Sequence, residues 1–301
     1  MKKLLITGSS GFIGSRLLKR VFNAGFDINL LQRTPNSKFE TFFYDFNDLP
    51  MPSNAFEGVE VVIHLAGIAH DIDNKIDNFD QYRKINIEAT KNLIEASESA
   101  GVKKFIFLSS VKAGGSDLNG NCLSESNPME PHGLYAISKY RAEQTIIDYS
   151  KKSNIDVIIL RSALVYGKDA KGNLKLMYKA IKKRYFPPIP DIRNKKSMVH
   201  VDDLIDAILF AISLKLKGYE IFNVTDSNVY STYEIYLTMI KALNRKPYRW
   251  HVPKSIFYIL SRVNKNFNNK YLKLFGNECY SSNKIRSYGY SSKRTFNEFD
   301  K

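Results

Sequence analysis

The stretch that decides the fold is Thr7-Gly8-Ser9-Ser10-Gly11-Phe12-Ile13-Gly14, between a short apolar run and an amphipathic segment. Glycines at this spacing permit a tight turn from strand to helix and let the backbone approach a pyrophosphate. The first turn of the following helix supplies free N–H groups for the same anion. The GxxGxxG spacing differs from the GxGxxG of two-domain dehydrogenases. It predicts a dinucleotide-binding turn.

Outward from this turn, short apolar runs alternate with amphipathic stretches. The predicted strands are Leu4 to Thr7, Ile28 to Leu31, Val61 to Leu65, Phe105 to Leu108 and Val157 to Leu160. The predicted helices are Phe12 to Ala24, Phe79 to Ser99 and Tyr135 to Lys151. Continuous apolar strands separated by helices indicate a parallel sheet covered on both faces. We therefore expect an α/β fold, a Rossmann-type doubly wound parallel sheet with a smaller C-terminal α/β substrate domain.

Composition changes within residues 168–196, which contain Pro187, Pro188 and Pro190. We expect a dinucleotide-binding domain at 1–166 plus about 197–226, and a substrate domain at 167–196 plus 227–301. The chain has 301 residues with 45 Lys+Arg and 30 Asp+Glu. Basic and acidic residues are equal through Tyr166, so the whole excess lies in the C-terminal part. Such an excess favours an anionic partner: a nucleotide, a nucleic acid or an anionic membrane surface.

Cysteine usage and hydropathy favour a cytoplasmic protein. Cys122 and Cys279 are the only cysteines, so we expect neither a disulfide framework nor a zinc site, and no metal. The apolar stretch after Lys2-Lys3 ends at Thr7, too short for a signal peptide. No apolar run approaches the roughly 18 residues of a membrane span.

A second chemical signal is Tyr135-Ala136-Ile137-Ser138-Lys139. Residues four apart share a helix face, so the Lys139 ammonium is expected near the Tyr135 phenol, where it lowers the pKa of that phenol. Such a phenol acts as a general acid or base at a carbonyl or alcohol. Ser110 ends the strand that precedes this helix, and a hydroxyl at that edge would help polarise the same oxygen.

Taken together, these motifs resemble those of the extended short-chain dehydrogenases/reductases, the nucleotide-sugar epimerase/dehydratase family. The resemblance covers nearly the whole chain. The residues that carry it are Thr7 to Gly14, His64-Leu65-Ala66-Gly67, Ser109-Ser110, Tyr135 to Lys139, Leu160 to Gly167 and Ser282 to Tyr290.

The resemblance implies both a catalytic set and a cofactor site. The catalytic residues would be Ser110, Tyr135 and Lys139, with Lys139 also holding the nicotinamide ribose. The cofactor-binding residues would be Gly8, Ser10, Gly11, Phe12, Ile13, Gly14, Asp45, Phe46, Leu65, Ala66, Gly67, Ser109, Tyr135 and Lys139. Family members are commonly homodimers through the helices Phe79 to Ser99 and Tyr135 to Lys151, so a homodimer is expected.

Departures from the family pattern indicate which of the family's reactions and cofactors to expect. The 4,6-dehydratases carry an acidic pair after the catalytic hydroxyl, whereas this chain has Val111-Lys112, so we expect no dehydration. NAD-dependent epimerases usually end the second strand with an aspartate, whereas this strand ends in Gln32-Arg33. Arg33 is placed to meet a 2′-phosphate, which favours NADP over NAD. Because NADPH is kept mostly reduced in cells, a net reduction is expected.

Three later segments are Lys171 to Leu174, Pro187 to Pro190 and Arg193 to Leu204. They resemble a subgroup that reduces a UDP-4-keto-6-deoxy-N-acetylhexosamine at C4 for surface polysaccharide, including lipopolysaccharide O-antigen. Lys196 stands where the wider family has an arginine that contacts the substrate phosphates, and it provides a point charge in place of a bidentate fork. The candidate substrate-binding residues are Asn173, Arg193, Lys196 and Arg286. His200 is expected to pack in the core.

Other interpretations stay open. One is an NAD-dependent UDP-sugar 4-epimerase on the same fold, and another is a dinucleotide sensor without enzymatic activity. Nucleic-acid binding is disfavoured because no groove-reading motif accompanies the basic excess. The segment from Ser255 to Leu272 is expected to form a helix packed on the substrate-domain core, with membrane-surface attachment as the alternative.

Overall fold

A seven-stranded parallel sheet forms the centre of the molecule. The computed structural model describes residues 2–45, 51–68, 79–117, 119–170, 172–263 and 265–299. Its strands are β1 (Lys3–Thr7), β2 (Asp27–Gln32), β3 (Glu40–Phe43), β4 (Val59–His64), β5 (Lys104–Ser110), β6 (Asp156–Ser162), β7 (Leu164–Tyr166), β8 (Lys196–His200), β9 (Tyr219–Val224) and β10 (Val229–Tyr230). The large sheet has the order β3-β2-β1-β4-β5-β6-β9. The order reverses between β1 and β4, where doubly wound sheets bind their ligands.

Helices cover both faces of this sheet. The helices of the described residues are α1 (Phe12–Asn23), α2 (Phe79–Tyr82), α3 (Ala89–Ser99), α4 (Leu134–Lys152), α5 (Asn173–Lys182), α6 (Val201–Ser213), α7 (Thr232–Ala242), α8 (Lys254–Val263), α9 (Lys265–Phe275) and α10 (Asn283–Ser287). Of these, α1 and α6 pack on one face of the large sheet, and α3 and α4 pack on the other. A π-helical stretch, Arg83–Glu88, joins α2 to α3 within the predicted helix Phe79 to Ser99. No helix in the described ranges is long and apolar enough to cross a membrane.

Alternate residues of each central strand enter different cores, which is why the strands are continuously apolar. Leu4 and Ile6 of β1 pack with α1 and α6, while Leu5 packs with α3 and α4 on the opposite face. The predicted doubly wound α/β fold is confirmed. Sequence reasoning did not find β3, a four-residue edge strand whose residues remain partly or fully exposed. An edge strand needs no continuous apolar run because one side of it stays unpaired.

A third core holds the C-terminal elements together. It contains residues of α5, α7, α8 and α9 beside the three-stranded sheet β10-β8-β7. Tyr280, Ile285 and Tyr290, however, join the core of the large sheet, although the sequence placed 227–301 wholly in the substrate domain. They do so because α10 covers the edge strand β9 and the Tyr290 hydroxyl hydrogen-bonds to the Asp203 carbonyl.

The two cysteines form one disulfide, which the sequence-based expectation of no disulfide framework did not foresee. Cys122 and Cys279 are bonded across a sequence separation of 157 residues. Backbone hydrogen bonds hold the two segments side by side: Leu123 N–H donates to Cys279 O at 2.9 Å, and Ser281 N–H donates to Leu123 O at 2.8 Å. This contact between distant segments exists only in the folded chain, so cysteine spacing did not reveal it.

Candidate active site

The glycine turn builds a cradle of backbone N–H groups. Gly11 is the N-cap of α1 and provides no side-chain cap, so the first-turn amides stay available to a ligand. A Cβ on Gly14 would lie 2.1 Å from the Gly8 carbonyl oxygen, and one on Gly8 would lie 2.6 Å from the Ala66 nitrogen. Ser10 is exposed at the rim, with Phe12 and Ile13 half-buried behind it. This donor set fits the pyrophosphate of a dinucleotide.

The loop after β4 lies beside the glycine turn and is hydrogen-bonded to Thr7. Leu65 N–H donates to the Thr7 carbonyl at 3.3 Å, and Ala66 N–H donates to the Thr7 hydroxyl at 3.2 Å. Gly67 follows with φ +157°, exposed toward the same side. Sequence reasoning had predicted Leu65, Ala66 and Gly67 to line the cofactor; Leu65 and Ala66 lie directly against the glycine turn, and Gly67 lies beside Asn86 and Lys139.

The end of β2 carries an amide and a cation. The Gln32 side chain accepts a hydrogen bond from the Ser9 hydroxyl in the turn and is buried. Arg33, the next residue, is exposed. Tyr44 N–H donates to Gln32 O at 3.2 Å, which brings half-buried Asp45 to this end of β2. Phe46, predicted to bind the cofactor, lies outside the described residues.

Ser110, Tyr135 and Lys139 meet at the carboxyl end of β5. Ser110 is the last residue of β5, and its hydroxyl shares a hydrogen bond with the Tyr135 phenol. Lys139 lies one helical turn further along α4 and is buried. Its ammonium donates to the Leu108 carbonyl at 2.9 Å and lies 4.3 Å from the centre of the Phe107 ring. Ser110 and Tyr135 are thus in contact, and Lys139 is held at the end of the same strand through Leu108.

Burial controls the protonation of this group. It raises the pKa of Tyr135 to about 12, opposed by the hydrogen bond from Ser110. The expected lowering of this pKa by Lys139 is therefore not found: desolvation of the phenolate dominates, and the negative charge of Glu143 adds to it. Burial also lowers the pKa of Lys139 to about 8, opposed by the charge of Glu143. The phenol is protonated at neutral pH and most of the amine is cationic.

A buried ion pair lies behind these residues. Glu143 is fully buried on α4 and accepts hydrogen bonds from the Arg161 guanidinium, at 3.0 Å from Nε and 2.6 Å from Nη2. The Ser109 hydroxyl donates to the same carboxylate, so it faces the interior and not the predicted cofactor position. Glu143 follows Tyr135 and Lys139 at four-residue spacing, a signal of its position that sequence reasoning missed.

Two further buried polar residues were not predicted. Asn86, in the π-helical stretch, hydrogen-bonds both to the Ile68 backbone and to the Ser138 hydroxyl, which ties the loop after β4 to α4. His64 bridges the hydroxyls of Thr7 at 2.7 Å and Thr90 at 2.9 Å. Burial, with a contribution from the Lys139 charge, lowers the pKa of His64 to about 3. Both residues brace the loops that carry the site.

On the substrate side, Glu278 joins two lysines. Its carboxylate lies 3.1 Å from the buried ammonium of Lys196 and 3.4 Å from the half-exposed ammonium of Lys112. The backbone N–H of Lys112 donates to the Ser110 hydroxyl at 3.3 Å, so this cluster lies next to Ser110 at the carboxyl end of β5. Burial raises the pKa of Glu278, but the two cations outweigh it and hold that pKa below its ordinary value. No sequence motif indicated Glu278.

The other predicted substrate-binding residues, Asn173 for the nucleotide and Arg193 and Arg286 for the phosphates, are not in the cluster of Lys196. Asn173 is exposed at the first turn of α5. Arg193 and Lys195 line a surface depression together with Asp191 and Glu234, so two carboxylates offset the two cations there. Arg286 is exposed on α10. This helix begins next to Thr225, just after the carboxyl end of β9, and continues toward Glu220 near the start of that strand. Arg286 therefore lies away from the carboxyl edge of the sheet. His200 packs against Tyr166 and caps α6, as expected of a core residue.

The fold and the glycine cradle define a dinucleotide-binding α/β protein of the doubly wound class. The family model described as the NAD dependent epimerase/dehydratase family matches residues 4–225, and the chain belongs to this family. It is thus an enzyme of the nucleotide-sugar short-chain dehydrogenase/reductase type, as the sequence motifs predicted.

Relatives of known name agree with this assignment. The chain is 29% identical over 259 residues to a UDP-glucose 4-epimerase of Vibrio cholerae, covering 84% of this chain and 79% of the relative. It is 28% identical over 271 residues to N-acetyl-alpha-D-glucosaminyl-diphospho-ditrans,octacis-undecaprenol 4-epimerase of Escherichia coli O157:H7, covering 86% and 80%.

Solved structures share the fold at lower identity. The UDP-glucose 4-epimerase of Thermus thermophilus, solved in complex with NAD, superposes with a TM-score of 0.76 at 21% identity, covering 99% of this chain and 96% of that one. The UDP-N-acetylglucosamine 4-epimerase of Bacillus cereus superposes with a TM-score of 0.74 at 18% identity, covering 100% and 96%.

Proposed function

We propose that this enzyme reduces the C4 ketone of a UDP-4-keto-6-deoxy-N-acetylhexosamine with NADPH. The proposal rests on the two residues at the end of β2. An exposed arginine, Arg33, follows Gln32 there, and no carboxylate occupies either position to bind the ribose hydroxyls of NAD. A guanidinium at this position complements a 2′-phosphate. A cofactor pool kept mostly reduced favours a net reduction over a redox-neutral epimerisation.

In the proposed reaction the bound dinucleotide supplies hydride to the ketone carbon. The pKa of Tyr135, about 12, keeps the phenol protonated at neutral pH, so Tyr135 delivers its proton to the developing alkoxide. Ser110 hydrogen-bonds the same oxygen. The Lys139 ammonium stabilises the phenolate that Tyr135 becomes.

The substrate diphosphate is proposed to meet cations on the far side of Ser110. Lys112 is connected to Ser110 by a hydrogen bond, and Glu278 holds it in one cluster with Lys196. The Lys112 side chain is 46% exposed, so it is the accessible cation of the cluster. Asn173, Arg193 and Arg286 remain proposed contacts that would need movement of their segments to reach this place.

A second candidate is NAD-dependent 4-epimerisation of a UDP-sugar. It is favoured by the names of the Vibrio cholerae and Bacillus cereus proteins and by the NAD in the Thermus thermophilus structure. The lipid-linked sugar named for the Escherichia coli relative supports a role in surface polysaccharide biosynthesis for either reaction. We further propose that the enzyme forms a homodimer through α2, α3 and α4 and acts in the cytoplasm, although the Cys122–Cys279 disulfide is unusual for that compartment.

The deciding experiment mixes the protein with a UDP-4-keto-6-deoxy-N-acetylhexosamine and either NADPH or NADH, and follows the absorbance of the reduced nicotinamide. We expect consumption with a preference for NADPH, and a fall of about 10²-fold or more in turnover for Tyr135→Phe. The Arg33→Gln variant is expected to lose the NADPH preference and to keep its activity with NADH. Interconversion of UDP-hexoses in the presence of NAD, without net consumption, would establish the epimerase instead.

A further inference from the structure

Helix α8 presents an apolar stripe to solvent. Ile256, Ile259, Leu260 and Val263 recur at spacings of three and four residues, so they share one face of the helix. Their exposed fractions run from 45% for Leu260 to 81% for Val263. The buried residues of α8, Phe257 and Ser261, lie on a different face and pack toward the C-terminal core. The predicted packing of this segment on the C-terminal core is found at Phe257, but the segment contains two helices, α8 and α9, and the apolar stripe of α8 faces away from that core.

The chain around this stripe is uniformly basic. Between Glu234 and Glu278 the sequence contains nine lysines and arginines and no acidic residue. Arg262 of α8 lies over the Tyr258 ring and donates to its hydroxyl at 2.7 Å, so its charge stays at the edge of the stripe. Lys270 and Lys273 of α9 are exposed. Cations thus lie beside the exposed apolar side chains without carboxylates from the same segment.

Further large aromatic and aliphatic side chains are exposed in the segments next to α8 in the sequence. Trp250 is 60% exposed and Tyr248 is 52% exposed, immediately before α8. Leu272 of α9 is 52% exposed, and α9 packs on α8 through the ring contact between Tyr258 and Tyr271. Tryptophan, tyrosine and aliphatic residues with lysine and arginine at the edge are the composition of helices that lie in a membrane interface.

We propose that the α8 stripe docks this enzyme on the surface of an anionic phospholipid bilayer. The apolar side chains would enter the boundary between headgroups and acyl chains, and the surrounding cations would meet lipid phosphates. Charge is the reason to choose a bilayer over a second copy of the chain. A symmetric contact through this face would place the same basic segment against itself, with no acidic residue between Glu234 and Glu278 to compensate.

The test is co-sedimentation of the full chain with vesicles of phosphatidylglycerol and phosphatidylcholine, compared with vesicles of phosphatidylcholine alone. We expect binding to the anionic vesicles and little to the neutral ones. Raising the salt from about 0.1 M to about 1 M shortens the screening length from about 10 Å to about 3 Å and should weaken the binding. Ile259→Asp should weaken it by roughly tenfold or more, since it removes an apolar contact and adds a charge repelled by the lipid.

Leu176→Asp is the matched control, since Leu176 is 50% exposed on α5 and the charge change is the same. Both positions are exposed, so thermal unfolding of the two variants should match that of the unmodified chain. Failure of the unmodified chain to bind anionic vesicles would overturn the proposal, as would equal binding by Ile259→Asp. Dissociation of a dimer by Ile259→Asp, measured by analytical ultracentrifugation without vesicle binding, would assign the stripe to a second copy. The assay involves no turnover, so its result is independent of the proposed reaction.

Discussion

Replacing Glu143 with glutamine removes one buried negative charge while keeping the shape of the side chain. Glu143 is 0% exposed and Arg161 is 4% exposed, so water cannot take over the role of either partner. The Arg161 guanidinium would keep its charge with only a neutral amide at 3.0 and 2.6 Å. Breaking a buried pair from one side costs about 3–5 kcal/mol. For a chain of this size we expect Tm to fall by roughly 5–15 °C.

The same substitution should change the pH dependence of catalysis. The Glu143 charge raises the pKa of Lys139, which burial has already lowered to about 8. Without that charge the pKa of Lys139 falls further. Because the proposed reaction needs the cationic amine, activity should be lost as pH rises through this pKa, and the alkaline limb of the turnover profile should move to lower pH.

Two comparisons make this prediction decisive. Glu60→Gln breaks an exposed pair with Lys103, at 3.8 Å, and should change the free energy of unfolding by less than about 1 kcal/mol. The double variant Glu143→Leu/Arg161→Met removes both buried charges and should recover most of the stability lost by Glu143→Gln, with the altered pH profile retained. If Glu143→Gln unfolds no more easily than Glu60→Gln, the reasoning from the buried pair is refuted.

Three further outcomes are expected. Gly14→Ala would place a Cβ 2.1 Å from the Gly8 oxygen, so the turn must open, and titration with dinucleotide should show affinity reduced by about tenfold or more; unchanged affinity would contradict the close approach. The pKa of His64 is about 3 in the folded protein and 6.5 in the unfolded chain. The free energy of unfolding should therefore decrease as the pH is lowered from about 6.5, by up to about 1.4 kcal/mol per pH unit. Urea unfolding should show this loss, and His64→Asn should reduce it; an equal loss in both would assign it to other groups. Cys122→Ser opens the disulfide to Cys279 and should cost about 2–4 kcal/mol, since the bond restricts a long loop in the unfolded chain; a matching Tm under oxidising conditions would show that it does not stabilise the protein.

The fold class could be predicted from the sequence because its signals are local. The glycine turn needs only neighbouring backbone atoms, and the alternation of apolar runs with amphipathic helices reports which faces are buried. Tyr135 and Lys139 could be grouped because a helix places residues four apart on one face. Ser110 joined them because parallel strands bring their carboxyl ends to one edge.

What only the tertiary structure decided depends on contacts between distant segments. Glu278 reaches Lys112 and Lys196 only after the C-terminal chain returns to the sheet, and the disulfide forms through the same approach. The pKa of Tyr135 rises because the folded chain excludes water from the phenol, a cost that spacing to Lys139 did not reveal. The exposure of the α8 stripe was also decided by the tertiary structure. Helical periodicity shows that one face is apolar, but only packing shows which face the core covers.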